Sequence, residues 1–196
     1  MSPSKNPSRA DNQQVSKKFR DDYFVGFVDG EGCFYVGFSK RKDLPIPWQI
    51  ITEFHVSQNP GSRNVLEALR DRLGCGYLKP NHAKSNTDKT WILIVKDRKD
   101  LLEKVIPFFE KYPLHSTKYK DFIVFKEVLQ IIKEGRHLNS TGFSEIIELV
   151  FSLDRQTKKR YTKEMILSSY NLRDYMSDPP KRRGRYSPNS DANRRV

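Results

Sequence analysis

The sequence has few cysteines and no long apolar segment. Cys33 and Cys75 are its only cysteines, and neither belongs to a CxxC pattern or has a paired histidine, so neither a zinc site nor a disulfide framework is indicated. No apolar run approaches ~20 residues, so we expect no membrane span. The first twenty residues lack the apolar core of a secretory signal. These absences favour an intracellular protein of a reducing compartment, in an organelle or in a bacterial cytoplasm.

Charge of one sign is in excess. The 36 Lys and Arg residues outnumber the 24 Asp and Glu residues, which gives a net charge of +12 and favours an anionic partner, most simply nucleic acid. Residues 1–20 and 177–196 each carry +4, and their polar, aperiodic composition predicts two basic disordered tails. Apolar periodicity is confined to residues 21–176, which we interpret as a single domain.

Helices alternate with pairs of strands along this domain. Apolar periodicity predicts a helix from Asp21 to about Gly30, then the strands CFYVGFS and WQIITEFHVSQ. A helix ending at Gly74 precedes a second hairpin, CGYLKPN and TWILIVKD. Helices over 100–111 and 118–134 and two short helices, FSEIIELVFSL and KEMILSSYNL, complete the pattern. The order αββαββα with extra C-terminal helices predicts an α+β fold, in which helices cover one face of an antiparallel sheet.

The stretch FVGFVDGEG, residues 24–32, is unusual for a helix. Each glycine costs roughly 1 kcal/mol relative to alanine, yet Gly26 and Gly30 lie four residues apart on one helical face. Such a face allows a second helix to approach closely. Asp29 and Glu31 stand at the helix C-terminus, where the helix dipole disfavours carboxylates. Two such helices in contact would bring these acids together around a hard divalent cation. A capped helix followed by a surface turn is the alternative interpretation.

FVGFVDGEG resembles the signature of the LAGLIDADG homing endonucleases. Gly26, Asp29 and Gly32 match that signature outright, Glu31 is a conservative acid replacement, and the remaining positions are apolar or small. The predicted order of elements also agrees with the family through about residue 135. The resemblance covers most of residues 21–153. It implies a site-specific DNA endonuclease that makes a double-strand break in a long pseudo-palindromic site by metal-dependent phosphodiester hydrolysis, with the sheet forming a saddle in the DNA major groove.

The resemblance also implies three catalytic residues. Glu31, the last acid of the signature, is expected to bind Mg2+, or another divalent cation such as Mn2+, or Ca2+ in a non-cleaving complex. Gln58, which closes the second predicted strand, is expected to organise water. Lys118, in the stretch PLHSTKYKDF, is expected to lie near the active site, with Lys120 as the neighbouring candidate. A cation of this kind lowers the pKa of bound water, and a lysine stabilises charge on the phosphate. Asp29 is expected to be structural.

Alternate positions of the predicted strands carry hydrogen-bonding side chains, a pattern that ordinary solvent exposure also produces. The resemblance implies that this face lies in the major groove, where Arg and Lys read guanine, Gln and Asn read adenine, and Glu reads the cytosine amino group. Other lysines are expected to contact phosphates. The predicted DNA contacts are Tyr35, Ser39, Lys40, Arg41, Lys42, Gln49, Glu53, His55, Lys79, Asn81, Lys84 and Thr90.

The signature occurs once in the sequence. A single copy implies a homodimer in which two Glu31 side chains meet at the two-fold axis, on a pseudo-palindromic DNA site. The predicted dimer interface consists of Phe24, Gly26, Phe27 and Gly30. Three alternatives use the same observations: an intron maturase that assists RNA splicing, a catalytically silent DNA-binding protein of the same fold, and an unrelated basic RNA-binding α+β protein.

Overall fold

A computed structural model describes residues 19–41, 47–85, 87–153 and 160–169. The strands are β1 (Gly32–Lys40), β2 (Trp48–Gln58), β3 (Tyr77–Pro80) and β4 (Trp91–Val95). The helices are α1 (Asp21–Glu31), α2 (Arg63–Leu73), α3, α4 (Lys118–Lys133), α5 (Ser140–Ser152) and α6 (Lys163–Ser168). Helix α3 joins three segments, Arg98–Asp100, the π-helical Leu101–Val105, and Ile106–Lys111. Single 3-10 turns lie at Pro60–Ser62 and Arg136–Leu138.

The four strands form one antiparallel sheet in the order β1-β2-β4-β3. Strand β2 is central and pairs with β1 along all of β1, from Gly32 opposite Val56 to Lys40 opposite Trp48. Strand β4 pairs only with the second half of β2, from Phe54 opposite Val95 to Gln58 opposite Trp91. The first hairpin is therefore much longer than the second, and it extends beyond β4.

The hydrophobic core lies between the helices and one face of the sheet. Phe34 from β1 is fully buried, and its ring centroid lies 5.1 Å from that of Phe54 and 5.3 Å from those of Phe109 and Phe122. Phe125 completes this group at 5.6 Å. Aromatic rings at these separations gain energy beyond the burial of their area. The cluster ties both halves of the domain to the centre of the sheet.

Side-chain contacts fix the ends of the helices. Arg72 near the end of α2 donates from Nε and Nη2 to the Asp21 carboxylate at 2.6 and 2.9 Å, and these bonds lower the pKa of Asp21. Gly74 ends α2 in the left-handed conformation, with φ of 67°, which glycine adopts readily. At the other end of the chain, the Trp48 indole donates to Ser169 Oγ at 2.7 Å, which holds the segment after α6 against β2.

These observations confirm the predicted α+β fold and its order of elements. The predicted starts of two helices are displaced: α3 begins at Arg98 because the Asp97 side chain accepts from Asp100 N, and α5 begins at Ser140 because Asn139 accepts from Gly142 N. Both are ordinary N-caps. No helix of the described residues is long and apolar enough to cross a membrane. Of the predicted tails only Phe19 and Arg20 are described, and residues 170–176 of the predicted domain also lie outside the described residues.

Candidate active site and nucleic-acid interface

Glu31 lies at the junction of α1 and β1. It is the last residue of α1 and is exposed, and no side chain within the described ranges hydrogen-bonds to its carboxylate. Gly32 follows with φ of −78° and donates its N–H to Val28 O. A Cβ at Gly32 would lie 2.5 Å from Val28 Cγ1 and 2.8 Å from Val28 O. The last glycine of the signature is therefore required for the close turn that presents the Glu31 carboxylate.

Asp29 ties the end of α1 to the segment that precedes α4. Its carboxylate accepts from His115 N at 2.7 Å, from Ser116 N at 3.1 Å and from Ser116 Oγ at 2.7 Å. Burial opposes ionisation, but the hydrogen bonds from His115 and Ser116 outweigh it and lower the pKa of Asp29 below 3.8. The expected structural role of Asp29 thus has a physical basis, since this carboxylate joins residues 86 positions apart.

Lys118 extends the same network to Glu31's neighbour. Ser116 Oγ accepts from Lys118 N at 3.1 Å, and the half-buried Lys118 ammonium donates to Gly32 O at 2.5 Å. The chain of contacts from Asp29 through Ser116 to Lys118 closes on the residue after Glu31. Lys120 is exposed, and its backbone N–H donates to Thr117 O. Geometry therefore separates the two lysines and favours Lys118 as the charged group beside Glu31.

Gln58 reaches the same end of the sheet through strand register. Because Gly32 pairs with Val56, the end of β2 lies beyond the start of β1 and beside the end of α1. Gln58 is half-buried, and its Oε1 accepts from Asn59 N at 2.7 Å. That bond fixes the amide oxygen. The structure thus places Glu31, Gln58 and Lys118 near one end of the sheet, where β1 starts and β2 ends.

In one copy of the chain, Glu31 is the one exposed carboxylate among the described residues at this site that could bind a cation. Across the described part of the chain, no three His, Cys, Asp or Glu side chains come together in a way that could hold a metal ion. The exposed Glu31 carboxylate is a suitable hard oxygen ligand for a divalent cation. Its site would need further oxygens from a second copy or from a phosphate, which fits a ligand set shared between molecules.

The outer face of α1 is smooth and aromatic. Apart from its chain neighbours and the backbone of α1 itself, a Cβ added at Gly26 or Gly30 would have no atom within 4 Å among the described residues. Tyr23 is 45% exposed and stacks on the half-buried Phe27, with ring centroids 6.3 Å apart. We call Tyr23, Gly26, Phe27 and Gly30 the glycine face. Phe24 was assigned wrongly to this interface, because its side chain is fully buried in the core on the opposite side of α1.

Within the described part of the chain, one face of the sheet is not covered by helices, and we call it the open face. Strand pairing places predicted contacts side by side on it: Tyr35 opposite Glu53, and Ser39 opposite Gln49. His55 pairs with Ile94, which in turn pairs with Tyr77. The residues of the open face are Cys33, Tyr35, Gly37, Ser39, Gln49, Ile51, Glu53, His55, Ser57, Tyr77, Lys79, Ile92 and Ile94.

Several polar groups of the open face already have partners. Glu53 forms an ion pair with Lys96 at 2.8 Å, and Arg41 Nη1 donates to Gln49 Oε1 at 3.3 Å. Burial lowers the pKa of His55, Glu53 opposes this, and Lys96 adds to it, so the site favours the neutral imidazole. A neutral imidazole can both donate to and accept from a base edge. The Glu53 carboxylate must share Lys96 or exchange it to contact a base.

The loop between β3 and β4 carries the outermost predicted contacts. Asn81 N donates to Thr90 O at 2.8 Å, and Thr90 donates to Asp88 Oδ1 from both N and Oγ1. These bonds and a contact with His82 lower the pKa of Asp88 to about 2. Lys79, Lys84 and Lys40 are exposed. Lys42 lies outside the described residues.

Sequence reasoning missed three residues of this interface. Tyr77 is 48% exposed on the open face, separated from His55 by Ile94 of β4, and Lys96 forms an ion pair with Glu53. Ile51 is not among the predicted DNA contacts, although it lies on the open face and is half-buried there. The alternation of β3 could have revealed Tyr77, which lies two residues before Lys79. The ion pair of Lys96 with Glu53 depends on the packing of the folded chain, so no sequence pattern predicts it.

Comparisons with known proteins agree with this geometry. A family profile described as LAGLIDADG endonuclease matches residues 24–129, more than half of the chain. The chain belongs to the LAGLIDADG endonuclease family. The match begins within α1 and ends within α4, so it contains Glu31, Gln58 and Lys118 together with the whole sheet.

Individual relatives include curated and solved proteins. A probable intron-encoded endonuclease 2 of Neurospora crassa is 32% identical over 133 residues, 67% of this chain but only 28% of that relative. The crystal structure of the homing endonuclease I-TnaI superposes with a TM-score of 0.65 at 34% identity, covering 80% of this chain and 98% of that one. I-SmaMI, bound to an uncleaved DNA target in the presence of calcium ions, has a TM-score of 0.64 at 26% identity, covering 69% and 45%.

Proposed function

We propose that this LAGLIDADG protein is a homing endonuclease that cuts both strands of a long, pseudo-palindromic DNA site. The observation that carries the proposal is the position of Glu31, exposed at the edge of the open face, with the Lys118 ammonium bound to the next residue. Intron-encoded endonuclease and homing endonuclease are the descriptions of the relatives above. The positive charge of the chain and the hydrogen-bonding side chains of its open face support DNA as the substrate.

Recognition is assigned to the open face. An antiparallel strand pair fits the major groove of B-form DNA, where base edges present distinct donors and acceptors. Gln49, Glu53, His55 and Lys79 would read base edges, since they share this face in register. The exposed Lys40 and Lys84 would contact phosphates, which position the protein without specifying sequence.

Catalysis is assigned to Glu31, Gln58 and Lys118, at the end of the sheet where β1 starts and β2 ends. Glu31 would hold a divalent cation, which lowers the pKa of a bound water and neutralises phosphate charge. The presence of calcium with the I-SmaMI target supports such a cation, and Mg2+ is our candidate for cleavage. Lys118 would stabilise negative charge on the phosphate. Gln58, with its oxygen bonded to Asn59 N, would use its amide N–H to orient water.

Two copies are needed for two cuts. One chain spans about half of I-SmaMI and contains one signature, and it offers one exposed carboxylate at the site. We propose that the glycine faces of two copies pack together and bring two Glu31 residues to the two-fold axis. The absence of atoms around Gly26 and Gly30 leaves room for that contact in the described structure.

Cleavage of a randomised-site DNA library tests the proposal directly. With Mg2+ present, we expect double-strand ends at one related set of pseudo-palindromic sequences, and chelation of the metal should abolish them. A matched reaction on RNA of the same sequences should give no cleavage. Specific binding without any cleavage would contradict the nuclease assignment and support the silent DNA-binding alternative. Ends without a common sequence would contradict site specificity.

A further inference from the structure

The middle of the first hairpin carries an apolar patch within an otherwise polar open face. Ile51 of β2 lies directly opposite Gly37 of β1 in the strand register. Its neighbours along β2 on the same face are Gln49 and Glu53, and the diagonal neighbours on β1 are Tyr35 and Ser39. Ile51 is thus the one aliphatic side chain in a ring of groups that hydrogen-bond.

Gly37 is required for the shape of this patch. A Cβ built at Gly37 would lie 2.1 Å from Tyr35 Oη and 2.4 Å from Tyr35 Cζ. The Tyr35 ring therefore leans along β1 and covers the backbone where a side chain would otherwise stand. Tyr35 remains 37% exposed. The ring and the half-buried Ile51 side chain together form a shallow apolar surface two strands wide.

The other isoleucines of the open face differ from Ile51. Ile92 and Ile94 are 8% and 4% exposed, and they are paired with Lys79 and Tyr77 on one side and with Ser57 and His55 on the other. These neighbours cover them. Ile51 lies beyond the paired part of β4, so it has no such cover from β4. Of the three, only Ile51 presents its side chain to a molecule that lies on the sheet.

We propose that the apolar patch of Tyr35, Gly37 and Ile51 contacts the C5 methyl group of a thymine in each DNA half-site. This inference rests on the proposed function. The C5 methyl of thymine is the apolar group that DNA presents in its major groove, and apolar side chains contact it. The polar neighbours Ser39, Gln49 and Glu53 would hydrogen-bond to adjacent base edges. The patch would therefore specify one base pair, flanked by base pairs that are read through hydrogen bonds. Two copies of the chain place this contact at symmetric positions of the site.

The test uses the cognate site identified by the cleavage library. Each thymine of a half-site is replaced in turn by deoxyuridine, which removes the methyl group and keeps the base pairing. We expect one position per half-site where this change weakens binding about fourfold, the ratio that corresponds to ~0.8 kcal/mol for one buried methyl-sized group. A 5-methylcytosine at that position should bind better than cytosine by a similar factor, since it carries the same methyl group.

The protein variants assign the effect to the patch. In Ile51→Ala the ratio between thymine and deoxyuridine affinities at that position should fall to about one, while the ratios elsewhere are unchanged. Gly37→Ala should act in the same direction, because the new Cβ displaces the end of the Tyr35 ring. Ile94→Val, a change at a covered isoleucine of the same face, should keep the wild-type ratio. Because each ratio is measured within one variant, a change in overall stability does not affect it.

Two results overturn the inference and leave the proposed function intact. One is a cognate site at which deoxyuridine is tolerated at every position. The other is a penalty that persists in full in Ile51→Ala. If the library gives no specific site at all, the proposed function itself fails, and that outcome is distinct from both.

Discussion

The two faces of the sheet are made from the same four strands and are opposite in construction. On the covered face, Phe34 and Phe54 are fully buried and belong to a close aromatic cluster. On the open face, their direct neighbours Tyr35 and Glu53 are paired across the strands and remain accessible. Successive residues of a strand point to opposite faces. Stability and recognition are therefore encoded at alternate positions of one segment, and they can be changed separately.

At the candidate active site, exposed residues for catalysis lie close to buried residues that stabilise the fold. Glu31 is exposed and contributes no contact to the core, whereas Val28, three residues earlier, is fully buried. Substitutions at this site should affect chemistry with little effect on folding, and the predictions below test that separation, from the largest expected effect to the smallest.

Glu31→Gln should reduce cleavage most, by about 10³-fold or more, because it removes the charge that would hold the cation while keeping the side-chain volume. The thermal unfolding midpoint and the affinity for the cognate site in Ca2+-free buffer should stay near wild-type values. Single-turnover cleavage and a filter-binding assay measure the two quantities. Cleavage within tenfold of wild type would exclude Glu31 as the metal ligand.

Gly26→Leu or Gly30→Leu should prevent dimer formation and so remove most cleavage, since a leucine on the glycine face separates helices that need backbone contact. The fold should be retained or stabilised, because outside α1 itself neither position has an atom within 4 Å of a new Cβ among the described residues and leucine favours helix more than glycine does. Sedimentation gives the assembly state and circular dichroism gives the stability. Lys133→Leu, at the far end of α4, is the matched control and should remain a dimer.

If one 23.0 kDa chain of the wild-type protein binds its DNA site without a second copy and still cuts both strands, the proposal of an active site shared between two copies is contradicted. A leucine variant that remains dimeric would instead place the subunit contact away from α1.

Lys118→Ala should lower the cleavage rate at least ~10²-fold, the usual scale for loss of one positioned charge. Lys120→Ala should cost far less, since the Lys120 side chain is exposed and its backbone N–H bonds to Thr117 O. DNA affinity should change little in Lys118→Ala relative to the cleavage rate. Single-turnover rates at saturating protein separate the two effects, and a larger loss in Lys120→Ala would reverse the assignment.

Asp29→Asn should have the smallest effect and one that depends on pH. The folded-state pKa of Asp29 is lowered, so its ionised form contributes stability above the ordinary value of 3.8, and that contribution is lost as the pH falls through the lower folded-state pKa. Wild type should be more stable than the variant at pH 7, and the difference should shrink at acid pH. Urea unfolding over a pH series measures this, and a difference independent of pH would exclude the charge as its cause.

Much of this architecture could be predicted because its signals are local. Strand β2 was predicted at its observed bounds, since alternation from Trp48 to Gln58 is uninterrupted. The helix ending at Gly74 followed from an ordinary glycine cap. The caps at Asp97 and Asn139 are equally local, and weighing them would have corrected the starts of α3 and α5.

The remaining features depend on contacts that no local pattern carries. The bond from Lys118 to Gly32 joins residues 86 positions apart and requires the placement of α4 beside α1. Phe24 was assigned to the wrong side of α1, because an aromatic residue in an apolar helix suits a core and a subunit contact equally well. The π-helical segment in α3 also has no distinctive composition.

The uninterrupted pairing of β1 with β2 has a consequence for how such a protein changes its target over generations. A point substitution at an open-face position alters what is read and leaves the covered neighbours in place. A one-residue insertion within either strand would exchange the two faces beyond that point, placing charged groups in the core and aromatic rings toward the solvent. Drift in the recognised sequence should therefore accumulate as substitutions at every second residue, with length changes confined to the loops between strands.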